Sequence, residues 1–138
     1  MIAYVDSSVL LRVVLGQPRR LKEWRRITRA VASALVEVEC LRTLDRLRIV
    51  EGVADDQLAP RREAVYRLLE SVEVVEPTRP ILARASQPMP AALGTLDAIH
   101  LATALLWRER TAADLVLATH DSALGLAARA SGVRVIGL

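Results

Sequence analysis

Four carboxylates, Asp6, Glu39, Asp97 and Asp121, are the side chains of this 138-residue sequence best placed to do chemistry. They are far apart along the chain, and each sits at or near the point where an apolar segment starts or stops. In a fold that packs those segments into one core, such ends can converge. Converged carboxylates repel one another and are costly to desolvate, so a fold that collects them normally holds a cation among them. Hard oxygen donors with no histidine or cysteine cluster beside them suit Mg2+ or Mn2+ rather than zinc.

Each acid also has an ordinary structural role open to it. Asp6 directly follows Ile2-Ala3-Tyr4-Val5 and can be a turn or cap residue. Glu39 lies in SALVEVECLRTL beside a face set by Leu35, Val38 and Leu41, where a solvated glutamate is common. Glu37, two residues earlier, faces elsewhere, and periodicity alone does not choose between the two. Asp97 falls in the first turn of a helix opened by Thr95, where the helix dipole favours a carboxylate. The almost wholly apolar AIHLATALL that follows implies an enclosed start for that helix. His100, one turn from Asp97, reads as a packed or hydrogen-bonded neighbour rather than a ligand. Asp121 comes after a strand and can cap the next helix. Asp45, Asp55, Asp56 and Asp114 read as surface residues, and Cys40 as core.

The elements that must position these acids alternate along the chain. Ile2–Val5, Ala30–Ala32, Val72–Val75, Leu115–Ala118 and Val133–Ile136 read as short strands. Helices are expected over Val9–Leu15, capped by Ser7 or Ser8, and from Ala34 to about Val50, capped by Ser33 and ended by Gly52. Leu35, Val38, Leu41, Leu44 and Leu47 recur along the latter. Further helices are expected from Ala54-Asp55-Asp56 to about Ser71, over Ile81–Ser86, over Leu96–Arg110 and over Ser122–Ser131. Arg19–Arg29 is a basic stretch with Leu21, Trp24 and Ile27 at helical spacing. Alternation of this kind implies a parallel sheet covered on both faces, and such sheets bind ligands at the carboxyl ends of their strands.

Length and composition fit one domain over residues 1–138, with 52% hydrophobic residues and only 3% aromatic ones. No apolar run approaches the roughly 20 residues of a membrane span. MIAYVDSSVLL has no basic leader and carries an acid in its apolar stretch, which argues against a signal peptide and for a cytoplasmic protein. The single cysteine excludes an internal disulfide. The net charge is +3 and nearly all the positive charge is arginine. Arginine suits phosphate recognition, although a GC-rich coding sequence enriches it equally.

Four segments together resemble PIN domains: YVDSSVLL, then SALVEVECLR, then LDAIHLATAL, and finally LATHDSAL with GVRVIGL. The third is similar to the third motif of VapC-type toxins and is the most specific. In the second, a serine precedes the acid by six positions, a register that selects Glu39 over Glu37. The resemblance spans essentially the whole chain. It implies an α/β fold, a PIN-like three-layer α/β/α sandwich around a mainly parallel sheet of four to five short strands. It also implies a metal-dependent ribonuclease, the toxin of a type II toxin–antitoxin pair. Asp6, Glu39, Asp97 and Asp121 would be both the catalytic residues and the ligands of Mg2+ or Mn2+. Thr119 would support the site, and the fourth acid is the most variable of the set.

On that resemblance, metal-activated water would cleave RNA to leave a 5′-phosphate and a 3′-hydroxyl. Arg12 and the arginines between Arg19 and Arg29 would guide the backbone. The expected partners are RNA, a cognate antitoxin and a second copy in a homodimer within a larger toxin–antitoxin assembly, with no membrane. The antitoxin would cross the Trp24 region and the acidic pocket. Other classes fit less well. A haloacid-dehalogenase-type phosphatase wants a second Asp where Ser8 stands, a receiver domain wants a better placed lysine than Lys22, and no phosphate-binding glycine loop is present. The remaining alternative is a catalytically inert PIN-like binding or scaffold protein, which would be expected to have lost one or more of the acids.

Overall fold

The computed structural model describes residues 1–138. Its strands are β1 (Ile2–Val5), β2 (Arg29–Ser33), β3 (Val72–Val75), β4 (Leu115–Ala118) and β5 (Arg134–Ile136). These runs of three to five residues are too short to be helices and satisfy their backbones by pairing. They line up in the order β3-β2-β1-β4-β5, and every pair is parallel. The helices are α1 (Ser7–Val14), α2 (Leu35–Glu51), α3 (Asp55–Leu69), α4 (Arg79–Ala85), α5 (Thr95–Thr111) and α6 (Ser122–Ala130).

Alternation along the strands divides the core into two halves. Ala3, Val5, Ala32, Val116 and Ala118 pack with Val9, Leu10, Cys40, Leu44, Leu58 and Val65 of α1, α2 and α3. Tyr4, Val31, Leu115 and Leu117 pack with Leu101, Leu105, Leu124 and Ala128 of α5 and α6. The result is the expected three-layer α/β/α sandwich, with a wholly parallel sheet. Both faces of the sheet are covered at its centre, which is why β1 and β4 read as continuous apolar runs.

Three local expectations change. The buried residues of α2 are Val36, Cys40 and Leu44, while Val38 is 59% exposed. A spacing of three drifts around a helix of 3.6 residues per turn, so Leu35, Val38, Leu41, Leu44 and Leu47 cannot share one stripe. Residues 19–29 form no long helix: only a 3-10 turn, Trp24–Arg26, interrupts the loop before β2. Leu21 is buried, and Trp24 and Ile27 pack against the core from that loop. The caps differ too. Asp6, not Ser7 or Ser8, caps α1, and Gly94 precedes α5, whose first residue is Thr95. Gly52 ends α2 as expected, with a left-handed φ of 66° that suits glycine.

The chain runs outward from β1 through β2 to β3, then returns across the sheet through α4 and α5 to β4 beside β1. The strand order therefore reverses at β1 and β4. In open parallel sheets the crevice outside such a reversal, at the carboxyl ends of the strands, is where ligands bind.

Candidate active site

Asp6 is the residue that follows β1, and Thr119 follows β4, so both stand at that reversal. Asp6 is only 3% exposed, and its carboxylate is fixed on every side. Oδ1 accepts from the backbone N–H of Val9 at 3.1 Å and from the Ser8 hydroxyl at 2.7 Å. Oδ2 accepts from the Thr119 hydroxyl at 2.5 Å. Thr119 in turn accepts from the Asp121 N–H at 2.9 Å, which ties the first and fourth acids together. Asp121 caps α6 by accepting from the Leu124 N–H at 2.9 Å.

Glu39 reaches the same place from the first turns of α2. A buried chain of polar groups orients it. The Ser33 N–H donates to Tyr4 Oη at 3.2 Å, and Tyr4 Oη lies 2.7 Å from His100 Nδ1. Burial raises the Tyr4 pKa and keeps the phenol neutral. His100 Nε2 donates its proton to Glu39 Oε1, 2.6 Å away, because a carboxylate only accepts. The Ser7 hydroxyl donates to the other oxygen at 3.1 Å. Glu37 is exposed and takes no part.

Asp97 lies in the first turn of α5 and is half-buried. Burial is the largest influence on its carboxyl and raises its pKa. The negative charges of Asp121, Asp6 and Glu39 raise it further, against a lowering by His100. The four acids, delivered by four separate parts of the chain, are thus close enough to feel one another. The donor set is all hard oxygen and carries a charge excess that a divalent cation would relieve. No three of the groups stand together as a ready coordination shell. The residues fit such a cation in chemistry, and the hydrogen bonds that orient Asp6 and Glu39 leave each carboxylate a lone pair to offer it.

The sequence-expected acids Asp6, Glu39, Asp97 and Asp121 are therefore gathered at one place, and His100 and Thr119 stand beside them as expected. Cys40 is buried and burial pushes its thiol up to about 12, which makes it an inert core residue. Asp114 is 89% exposed and pairs with Arg134 at 3.1 Å. Tyr4 is a neighbour of the site that the sequence left unassigned, and Ser7 and Ser8, expected as helix caps, donate to Glu39 and Asp6 instead. A signal for Tyr4 was available: it is a lone hydroxyl in an otherwise aliphatic strand, and a buried hydroxyl needs a partner.

The family model described as PIN domain matches residues 3–130. A curated relative named ribonuclease VapC47, from Mycobacterium tuberculosis, is 31% identical over 137 residues, covering 97% of this chain and 91% of the relative. The solved structure of FitAB bound to an IR36 DNA fragment superimposes with a TM-score of 0.71 at 15% identity, covering 99% of this chain and 94% of that one. A toxin–antitoxin complex from Klebsiella pneumoniae gives 0.66 at 18% identity, with 89% of each chain covered. The chain belongs to the PIN-domain family.

Proposed function

We propose that this PIN-domain protein is a divalent-metal-dependent endoribonuclease and the toxin of a type II toxin–antitoxin pair. The observation that carries the reading is the meeting of Asp6, Glu39, Asp97 and Asp121, whose mutual repulsion is felt at Asp97. A VapC ribonuclease among the relatives and a toxin–antitoxin complex among the structural neighbours support the class. An inert scaffold has no use for an acid cluster that costs folding energy.

A bound Mg2+ or Mn2+ would lower the pKa of a water and neutralise charge on the RNA phosphate and the leaving oxygen. The chain's own part is to hold the oxygens in place. Thr119, Ser8 and the Val9 N–H fix both oxygens of Asp6, and His100 and Ser7 fix both oxygens of Glu39. Asp97 adds charge from the opposite layer of helices. Attack by water rather than by the ribose 2′-hydroxyl leaves a 5′-phosphate and a 3′-hydroxyl.

The same reading gives the protein an antitoxin that covers the acidic site and a second copy in a homodimer. Val38, Ile49 and Val50 of α2 are each more than half exposed and supply apolar surface for association. The test is cleavage of RNA by purified protein, with product ends mapped. Cleavage in Mg2+ or Mn2+, silence in EDTA and 5′-phosphate ends are expected; cleavage undiminished by chelator sinks the reading.

A further inference from the structure

The positive charge of the chain is concentrated beside the acidic site. Between Arg19 and Arg26 lie five cations, Arg19, Arg20, Lys22, Arg25 and Arg26, against the single carboxylate of Glu23, so this segment exceeds the net +3 of the whole chain. Arg29, Arg42, Arg48, Arg62, Arg67, Arg84 and Arg134 each have a carboxylate partner, and none of those five cations does. The loop is nonetheless built. Arg12 Nη1 donates to the Arg19 carbonyl at 3.0 Å, Arg19 takes a left-handed φ of 61°, and Leu21 is buried. A cleft of about 480 Å3 opens here, lined by Arg12, Arg19, Arg20 and Lys22, by Glu23 as its one acid, and by His120 and the end of the chain.

His120 joins this cleft to the acids. Its N–H donates to Ser8 Oγ at 2.9 Å, Ser8 donates to Asp6, and Asp121 is the next residue. Its Nδ1 lies 2.7 Å from the Gly137 carbonyl. A carbonyl only accepts, so Nδ1 carries a proton, and in the neutral ring Nε2 is the acceptor. Nε2 is withdrawn from solvent and has no partner, alone among the buried side-chain nitrogens and oxygens of the protein. An acceptor left so is costly, and cationic donors line the same cleft.

We infer that this cleft is the track of the RNA strand beside the acidic site, and that His120 Nε2 accepts a hydrogen bond from a ribose 2′-hydroxyl there, which makes His120 the residue that selects RNA over DNA. The inference rests on the ribonuclease reading and adds to it the residue that reads the sugar. The cations neutralise phosphates whatever the sugar is. An RNA backbone offers phosphate and ring oxygens, which only accept, and one donor, the 2′-hydroxyl. That donor is what tells RNA from DNA. An acceptor set among phosphate-binding cations therefore fits a ribose and finds nothing on a deoxyribose. The ring is part-exposed in the cleft while Nε2 itself is not, so a sugar meets Nε2 once the atoms over it move aside.

The experiment measures the affinities of a short RNA and of DNA of the same sequence, in Mg2+, with Asp97→Asn in every protein to prevent turnover. With His120 in place, RNA is expected to bind about tenfold tighter than DNA, the share of one good hydrogen bond. His120→Asn keeps an amide donor for Gly137 and has no atom at the Nε2 position. It should lower RNA affinity to that of DNA and leave DNA unchanged. His120→Gln puts a carbonyl oxygen near the Nε2 position and should retain the preference. Replacing Arg19 and Arg20 by Ala should weaken RNA and DNA alike and reduce the salt slope by about two. A preference that survives His120→Asn, an equal loss on both nucleic acids, or a loss in His120→Gln as large as in His120→Asn overturns the sugar-reading role. Unchanged affinity in the arginine variant overturns the track. The parent protein with Asp97 restored is assayed alongside: if it cleaves no RNA, the ribonuclease reading itself fails, and if it cleaves while His120→Asn keeps the preference, only this inference does.

Discussion

His100 Nε2 lies 2.6 Å from Glu39 Oε1, and the same ring is held from behind by Tyr4 at 2.7 Å. A helix glutamate on a long flexible side chain is thereby aimed by a strand residue and by a second helix. Tyr4 lies in the central strand and is fully buried, so the geometry of Glu39 is anchored in the core itself.

Removing the anchor tests it. Tyr4→Phe leaves the Ser33 N–H and His100 Nδ1 unpaired in the core, at about 1–3 kcal/mol. For a chain of this length that lowers Tm by roughly 3–12 °C. Cleavage should fall as well, because Glu39 loses its fixed orientation. A variant as stable and as active as the parent would show that the chain of hydrogen bonds orients nothing.

Glu37 and Glu39 separate by position alone. They are two residues apart on α2, roughly 200° around the helix. Glu39→Gln is expected to abolish RNA cleavage, and Glu37→Gln, at an exposed position, to leave it unchanged. The reverse outcome would place the wrong face of α2 at the site.

Asp97 gives a pH dependence of defined sign. Burial and then the charges of Asp121, Asp6 and Glu39 raise its pKa above the ordinary 3.8. The folded protein therefore holds this proton more tightly than the unfolded chain. Its contribution to stability is present below the ordinary value, is lost as pH rises through the raised folded value, and is absent at neutral pH. Without metal at pH 7, Asp97→Asn should melt above the parent, and the difference should close in acid below about pH 3.8. The same variant should be inactive and fail to arrest growth on expression. Mg2+ should raise the Tm of the parent more than that of the variant. A variant that melts below the parent at pH 7 would contradict repulsion at this site.

Gly137 tests the closure of the chain over the site. Its φ is 100°, and a Cβ there would lie 2.5 Å from the Thr119 carbonyl oxygen. Gly137→Ala must move the backbone that accepts from His120 and that pairs with Thr119 through Ile136. A loss of roughly 1–3 kcal/mol is expected from the backbone strain alone, read as a drop in the denaturant midpoint. An unchanged midpoint would mean that the segment closes nothing.

The association surface is open to a direct measurement. Light scattering should give the mass of a dimer, and co-expression with the antitoxin of the proposed pair should yield a stable complex with suppressed cleavage. A strictly monomeric protein, or a bound partner that leaves cleavage unchanged, would remove the corresponding part of the proposal.

The alternation of short apolar runs with amphipathic segments was sufficient for the α/β class, because a run of four aliphatic residues has few ways to satisfy its backbone other than in a covered sheet. Asp6, Asp97 and Asp121 at element ends were likewise legible, since each follows or opens an apolar segment, whereas Glu39 lies within α2. Periodicity could not choose Glu39 over Glu37, and it misassigned the buried stripe of α2, because a three-residue spacing does not return to one face of a 3.6-residue turn. Nor could it show that Arg19–Arg29 is mostly loop: Leu21, Trp24 and Ile27 find the core from irregular backbone, which no helical spacing encodes. What only the tertiary structure decided are the contacts between residues remote in sequence. Thr119 reaches Asp6 across 113 positions, Tyr4 reaches His100 across 96, and His120 is left facing a cationic cleft with one nitrogen unpaired. Such pairings depend on strand order and on where the chain reverses, and these are set by the packing of the whole sheet rather than by any local run of residues.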